Sequence, residues 1–374
     1  MVVAGVAVAM ALAACGGGNE AATSGGSGTS GGGCDAAIGF FGALTGDAAN
    51  LGINIVNGVQ LAIDQHNAKS DCKVGLVKYD SQGSPDQAPG LAQQAISNTK
   101  VLGIVGPAFS GESDAADPLF NEAGLVTITP SATNPALAEN GWKTFFRVLG
   151  NDATQGPAAA RYITDTLGAK KVFVVDDAST YGKGLADIVR KTLGQAVVQN
   201  DSIQQKQTDF SATVTKIRSS GADAVYFGGY YTEAGLLVKQ MRDAGVKATF
   251  VSDDGVKDDG FIKAGGAATN GSVVTCPCLP PEKAGGSFSA DYQKAFTVEP
   301  GTYSAEGFDA AKILLDAIDA GNTTREAVLK YVASYNADGV TKHLSFTPKG
   351  EVKQVSVWAY KVTNGKIVTD QEIK

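Results

Sequence analysis

From residue 36 onward, short apolar runs rich in Val, Ile, Phe and Tyr alternate with longer stretches whose apolar residues recur at helical spacing. The runs at 37–44, 74–79, 101–105, 126–129, 171–175, 224–227 and 249–251 read as strands. Between them lie helical stretches, such as 53–67 with Val56, Val59 and Ile63 on one face, and 184–193. Strands alternating with helices predict an α/β fold of parallel sheets covered by helices on both faces. Residues 101–131 and 224–253 share one order: strand, Gly-containing loop, helix, an acidic-Ala-Gly turn, strand. The turns are Glu122-Ala123-Gly124 and Asp243-Ala244-Gly245, with Gly closing the helix in each. The echo suggests two lobes of one architecture; chance likeness between βα units is the alternative. A chain of 374 residues also exceeds the size at which single cores stop growing, roughly 250–300 residues. In open parallel sheets ligands sit beyond the carboxyl ends of the strands. The segments 43–52, 106–111, 129–133, 176–181, 228–231 and 252–255 are therefore the places to look for a site.

A net charge of −7 without any Lys/Arg cluster argues against nucleic acid or an anionic membrane surface as partner. Residues 1–14 are small and apolar, too few for a membrane span of ~20 residues but suited to a secretion signal. They end Leu12-Ala13-Ala14-Cys15-Gly16, which resembles a bacterial lipobox, so Cys15 is the expected lipidation site; a truncated ordinary signal peptide is the plainer alternative. Residues 15–34 are mostly Gly, Ser, Thr and Ala, a composition of flexible tethers with a mean reach of ~20–25 Å. This places the body in the cell envelope, outside the cytoplasmic membrane and touching it only through the anchor.

Five cysteines less a lipidated Cys15 leave four, which should pair in an oxidising compartment. Cys34 opens the first strand and Cys72 precedes the second, so a bond between them is expected. Cys276 and Cys278, one residue apart, either close a tight ring or stay as two thiols. A metal site is the weaker use of these residues, since only His66 and His343 exist to complete one. The chain shows no Gly-rich phosphate loop ending in Lys-Ser/Thr, no Gly-x-Ser-x-Gly elbow and no metal-binding His pair, so neither an enzyme nor a cofactor is expected.

Five motifs, in order, resemble those of the branched-chain amino-acid binding protein family, the type I periplasmic-binding fold of ABC importers. They are Gly42-Ala43-Leu44-Thr45-Gly46, Val77-Lys78-Tyr79-Asp80, Ile128-Thr129-Pro130-Ser131-Ala132-Thr133, Tyr181-Gly182-Lys183-Gly184 and Tyr226-Phe227-Gly228-Gly229-Tyr230. The resemblance covers nearly the whole body and implies two lobes crossed three times, near 150–152, 276–279 and 342–344. Residues 35–151 with 278–342 would form one lobe, and 152–277 with 343–374 the other. It implies a free amino acid, Leu, Ile, Val or similar, as ligand and an importer permease as partner.

By the same resemblance, Ser110 and Thr133 hold the ligand carboxylate. The Ser131 carbonyl, the Thr133 hydroxyl and Asp254 meet its ammonium. Tyr181 and Tyr230 close over it, and Leu51, Phe109 and Tyr303 touch its side chain. Two positions depart from the family: Asp254 stands where Glu is usual, and Leu51 where an aromatic is usual. Read from the residues alone, Ser110 caps a helix beginning near Glu112, whose N–H groups favour an anion, and Thr133 is a turn residue. Asp253 competes with Asp254, and the aromatics serve equally as core or surface-loop residues. A ligand-binding sensor, or a binder of an amide or urea-like solute, is the alternative function.

Overall fold

The computed structural model describes residues 35–374. The expectations for the leader, for Cys15 and the tether, and for Cys34 lie outside the described residues.

Two sheets carry the fold. The first contains β1 (Ala36–Gly42), β2 (Val74–Asp80), β3 (Val101–Val105), β4 (Val126–Thr129) and β5 (Phe145–Arg147), all parallel, in the order β2-β1-β3-β4-β5. Helices α1 (Ala49–Asn67), α2 (Ala88–Ser97) and α3 (Ser110–Glu122) make the crossovers. β1 and β3 are buried from end to end, as interior parallel strands covered on both faces must be, whereas the edge strand β2 is half exposed.

The chain enters the second sheet through α4 (Asp152–Arg161). It continues as β6 (Val172–Asp176), α5 (Thr180–Leu193), β7 (Val197–Ser202), α6 (Ser211–Ser220), β8 (Ala224–Gly228), α7 (Tyr231–Asp243), β9 (Thr249–Ser252), α8 (Asp259–Gly265) and β10 (Val273–Cys276). Helices α9 (Phe288–Phe296), α10 (Ser304–Asp319) and α11 (Arg325–Ala333) then return to the first sheet, where α10 and α11 pack on β3 and β4. A small antiparallel pair follows, β11 (Asn336–Asp338) with β12 (His343–Ser345), before β13 (Trp358–Thr363) and β14 (Lys366–Glu372) complete the second sheet.

The order there is β14-β13-β10-β9-β8-β6-β7, parallel from β10 to β7. β13 and β14 run antiparallel, a departure from the wholly parallel sheets expected from the strand–helix alternation. Their cause is local: Asn364 and Gly365 both take positive φ (52° and 70°), forming the two-residue turn that suits a hairpin. A second departure concerns the third crossing. Instead of leaving near 342–344, the chain stays on the first sheet as far as Val352. Phe346 packs on Phe146 with ring centroids 5.0 Å apart, and Arg147 exchanges backbone bonds with Gly350 and Val352.

Cys276 and Cys278 are bonded to each other around Pro277, directly after β10, so of the two readings the ring is the one found. Cys72 is disulfide-bonded as well. Among the described residues no helix is long and apolar enough to cross a membrane, and no group of three metal-ligating side chains occurs.

One helix crossing matters for the site. A Cβ on Gly58 of α1 would stand 2.0 Å from the Ser304 carbonyl oxygen, and one on Gly307 of α10 2.7 Å from that of Ile55. Both positions therefore need glycine, and the resulting close crossing of α1 and α10 brings Leu51 and Tyr303, near the two helix starts, into one cleft.

Candidate functional site

The carboxyl ends of the strands in both sheets face one narrow cleft. From the first sheet come Ser110 after β3, Ser131 after β4, and the apolar walls Leu51 and Phe109, with Tyr303 at the start of α10. From the second come Tyr181 after β6, Tyr230 after β8, and Asp254 and Gly255 after β9. Thr133 does not line the cavity; it is fully buried beside it, and its hydroxyl has no hydrogen-bond partner among the described residues. Thus Leu51, Phe109, Ser110, Ser131, Tyr181, Tyr230, Asp254 and Tyr303 meet in one place, with Thr133 behind them.

Asp254 is the best-held group. Its Oδ1 accepts the Tyr181 hydroxyl at 2.7 Å, and its Oδ2 accepts the Tyr303 hydroxyl. One phenol comes from each side of the cleft. Burial pushes the Asp254 carboxyl above its usual range while the two phenols work the other way, and burial raises both phenols well above theirs, so they remain donors. Gly255 lets this happen: a Cβ there would lie 2.5 Å from the Gly229 carbonyl oxygen and 2.9 Å from the Tyr181 ring. Tyr303 sits in the left-handed region (φ 67°, ψ 4°), a conformation that costs a bulky residue on the order of 1–3 kcal/mol and is held here by the packing around it. Asp253, the competing carboxylate, does not line the cavity and accepts the Gly229 N–H at 3.0 Å.

Opposite Asp254 lies the start of α3. Its first helical residue is Ser110, two residues earlier than the expected start near Glu112; Phe109 takes the capping position, and Glu112 accepts the Phe109 N–H at 3.3 Å. The first turn of a helix leaves N–H groups without intrahelical partners, with a partial positive charge. The Ser110 hydroxyl oxygen accepts the Asn134 N–H at 3.2 Å, tying α3 to the 131–134 loop. Ser131 donates its hydroxyl to the Ala108 carbonyl at 2.6 Å.

Several contacts join the two sides across the cleft. Asn50 Nδ2 donates to Asp258 at 2.8 Å, Asn134 Nδ2 to the Thr180 carbonyl at 2.9 Å, and Phe109 packs edge-on against Tyr230 at 5.4 Å between centroids.

The sequence profile described as "Periplasmic binding protein" matches residues 36–366, nearly everything described above. The chain belongs to this family. An "Amino acid binding protein" of Pseudomonas aeruginosa is 35% identical over 328 residues, 85% of this chain and 88% of that protein. The "Leu/Ile/Val-binding protein BraC3" of Rhizobium johnstonii is 32% identical, covering 89% and 93% of the two chains. Among solved structures, the branched-chain amino acid transporter substrate binding protein LivJ of Streptococcus pneumoniae, in complex with isoleucine, superposes with a TM-score of 0.84. It is 27% identical, over 90% of this chain and 98% of that one. The two-lobed α/β architecture of this periplasmic binding protein is thus that of its relatives.

Three residues of this family member's site escaped the sequence reading. Arg147, fully buried, donates Nη1 to the carbonyls of Ala132 (2.8 Å) and Asn134 (3.0 Å) and Nε to Glu351 (3.0 Å), which pins the loop carrying Ser131 and Thr133. Asp152 and Gln155, on the first turn of α4, are buried beside the cleft. The signal available for them was polarity in a buried place: a lone Arg ending an apolar strand, and an Asp and Gln three apart where the chain crosses between sheets.

Proposed function

We propose that the chain is the solute receptor of an ABC importer and that it captures one free amino acid with an aliphatic side chain in the cleft between its sheets. The observation that carries this reading is Asp254, a buried carboxylate oriented by two phenols, facing a helix start with Ser110 and Thr133 across an otherwise apolar and aromatic cavity. A zwitterion offers the matching charges: its ammonium for Asp254, Thr133 and the Ser131 carbonyl, its carboxylate for Ser110, Thr133 and the first turn of α3. Leu51, Phe109 and Tyr303 then surround its side chain. The relatives named as binders of leucine, isoleucine and valine support the same ligand class. Outside the cytoplasmic membrane, the receptor is tethered by a lipid on Cys15, with Cys34 and Cys72 bonded at the base of the first sheet.

A thermal-shift screen of the twenty amino acids tests the reading. An occupied site adds about 2.7 kcal/mol at a hundredfold excess over Kd. Leucine, isoleucine or valine should raise the midpoint most. A response to urea or amides with none to any amino acid would contradict the reading.

A further inference from the structure

Behind the position for the ammonium lies a group of three fully buried carboxyls: Asp152 on α4, and Asp253 and Asp254 after β9. Their partners are unequal. Asp254 accepts a phenol on each oxygen, and Asp253 accepts one N–H. Neither oxygen of Asp152 accepts an N–H among the described residues; the Thr133 hydroxyl lies beside it. The Asp152 backbone N–H donates to the Thr133 carbonyl at 2.9 Å, which sets the Asp152 carboxyl within reach of the Thr133 hydroxyl.

The remaining groups do not neutralise this cluster. Arg147 faces Asp152 from β5, but its guanidinium is engaged by Glu351, which faces Asp152 too with a charge of the wrong sign. From α4, Gln155 turns its amide N–H to Thr275 at 3.1 Å and leaves its oxygen unpartnered. Asp253 is surrounded by Tyr181, Tyr226, Asp177 and Gly229, all from the second sheet, so its environment is set whether or not the cleft is closed. Asp152 differs, because Thr133 and Arg147 reach it from the first sheet.

An amino acid brings one ammonium to these three acids. We propose that closing over the ligand takes up one proton from solvent and that Asp152 is the group that holds it. The proposal rests on the amino-acid reading given above. The step adds a proton to the Asp152 carboxylate and makes no bond to the ligand. As a carboxylic acid Asp152 donates to the Thr133 oxygen, which leaves the Thr133 O–H to point at the ligand carboxylate. Asp152 is thereby a positioning residue.

The direction in pH follows. An aspartate open to water titrates near 4, which is the state proposed for Asp152 before closure. In the closed form burial, then the charge of Asp254, pushes it to about 8, against the Thr133 hydroxyl and Arg147. Between those values the closed form binds the extra proton, so affinity falls as pH rises, by up to about tenfold per unit for one whole proton, and levels off above the closed-form value.

Calorimetry with L-leucine from pH 5.5 to 8.5, repeated in two buffers of different ionisation enthalpy, measures both the slope and the protons taken up. Wild type should show uptake and a Kd that rises with pH. Asp152→Asn, a fixed neutral donor, should lose the uptake, flatten the slope and bind more tightly than wild type at pH 8.5, while Asp253→Asn keeps the slope. A wild-type Kd independent of pH with no buffer dependence overturns the proposal while leaving the amino-acid reading standing, as does an unchanged slope in Asp152→Asn. No binding of L-leucine, L-isoleucine or L-valine at any pH, by calorimetry and by thermal shift, overturns both.

Discussion

In the proposed site Asp254, shorter than the Glu usual in the family the chain resembles, takes the ligand ammonium. Its two oxygens are fixed by Tyr181 and Tyr303, one phenol from each side, so its orientation is set by hydrogen bonds rather than by reach. Truncating one member of a buried, hydrogen-bonded charge pair costs about 2–5 kcal/mol. Asp254→Asn keeps the shape and removes the charge, so its affinity for an amino acid should fall at least about thirtyfold by calorimetry, while Asp253→Asn, which stays under the Gly229 N–H, should change affinity far less. Equal losses in the two would assign the ammonium to the pair rather than to Asp254. Asp254 was legible through the family resemblance, the residues alone leaving Asp253 and Asp254 as competitors after the run at 249–251. Asp152 was not, because its meaning arises only when α4 meets the 131–134 loop, a contact between the two sheets that no local pattern encodes.

At the scale of elements, the interior strands were readable because parallel strands buried on both faces are nearly continuous apolar runs, as in β1, β3 and β8. The edge strand β7, Val-Val-Gln-Asn-Asp-Ser, was not, since most of it faces solvent and carries no apolar signature. The β13–β14 hairpin did have a signal, Asn364-Gly365 between two alternating runs, which the strand–helix rhythm of the rest of the chain obscured. The crossing of α1 and α10 is the element-level feature most sensitive to change. Gly58→Ala puts a methyl 2.0 Å from the Ser304 carbonyl oxygen and must push the helices apart. Overpacking of this kind costs about 1–3 kcal/mol, so the midpoint of thermal unfolding should fall. Because Tyr303 precedes Ser304, ligand affinity should fall with it; a variant with wild-type midpoint and affinity would show that the crossing does not position the cleft.

The whole molecule places complementary charges on opposite sides of one cleft. The first sheet offers a helix start and hydroxyls, the second an oriented carboxylate, and neither side alone satisfies a zwitterion. Contacts such as Asn50 to Asp258 and Phe109 against Tyr230 already join the two sides, so a ligand adds its own bridge to an existing interface. A molecule that lacks one of the two charges leaves buried polar groups unpaired, the most effective source of discrimination available to a closed site. The most direct test compares L-leucine with 4-methylpentanoate, the same skeleton and carboxylate without the amine, by titration calorimetry on the wild-type protein. Binding of L-leucine with no measurable binding of 4-methylpentanoate is the predicted result. Comparable affinities for the two would contradict an ammonium held by Asp254 and with it the amino-acid site.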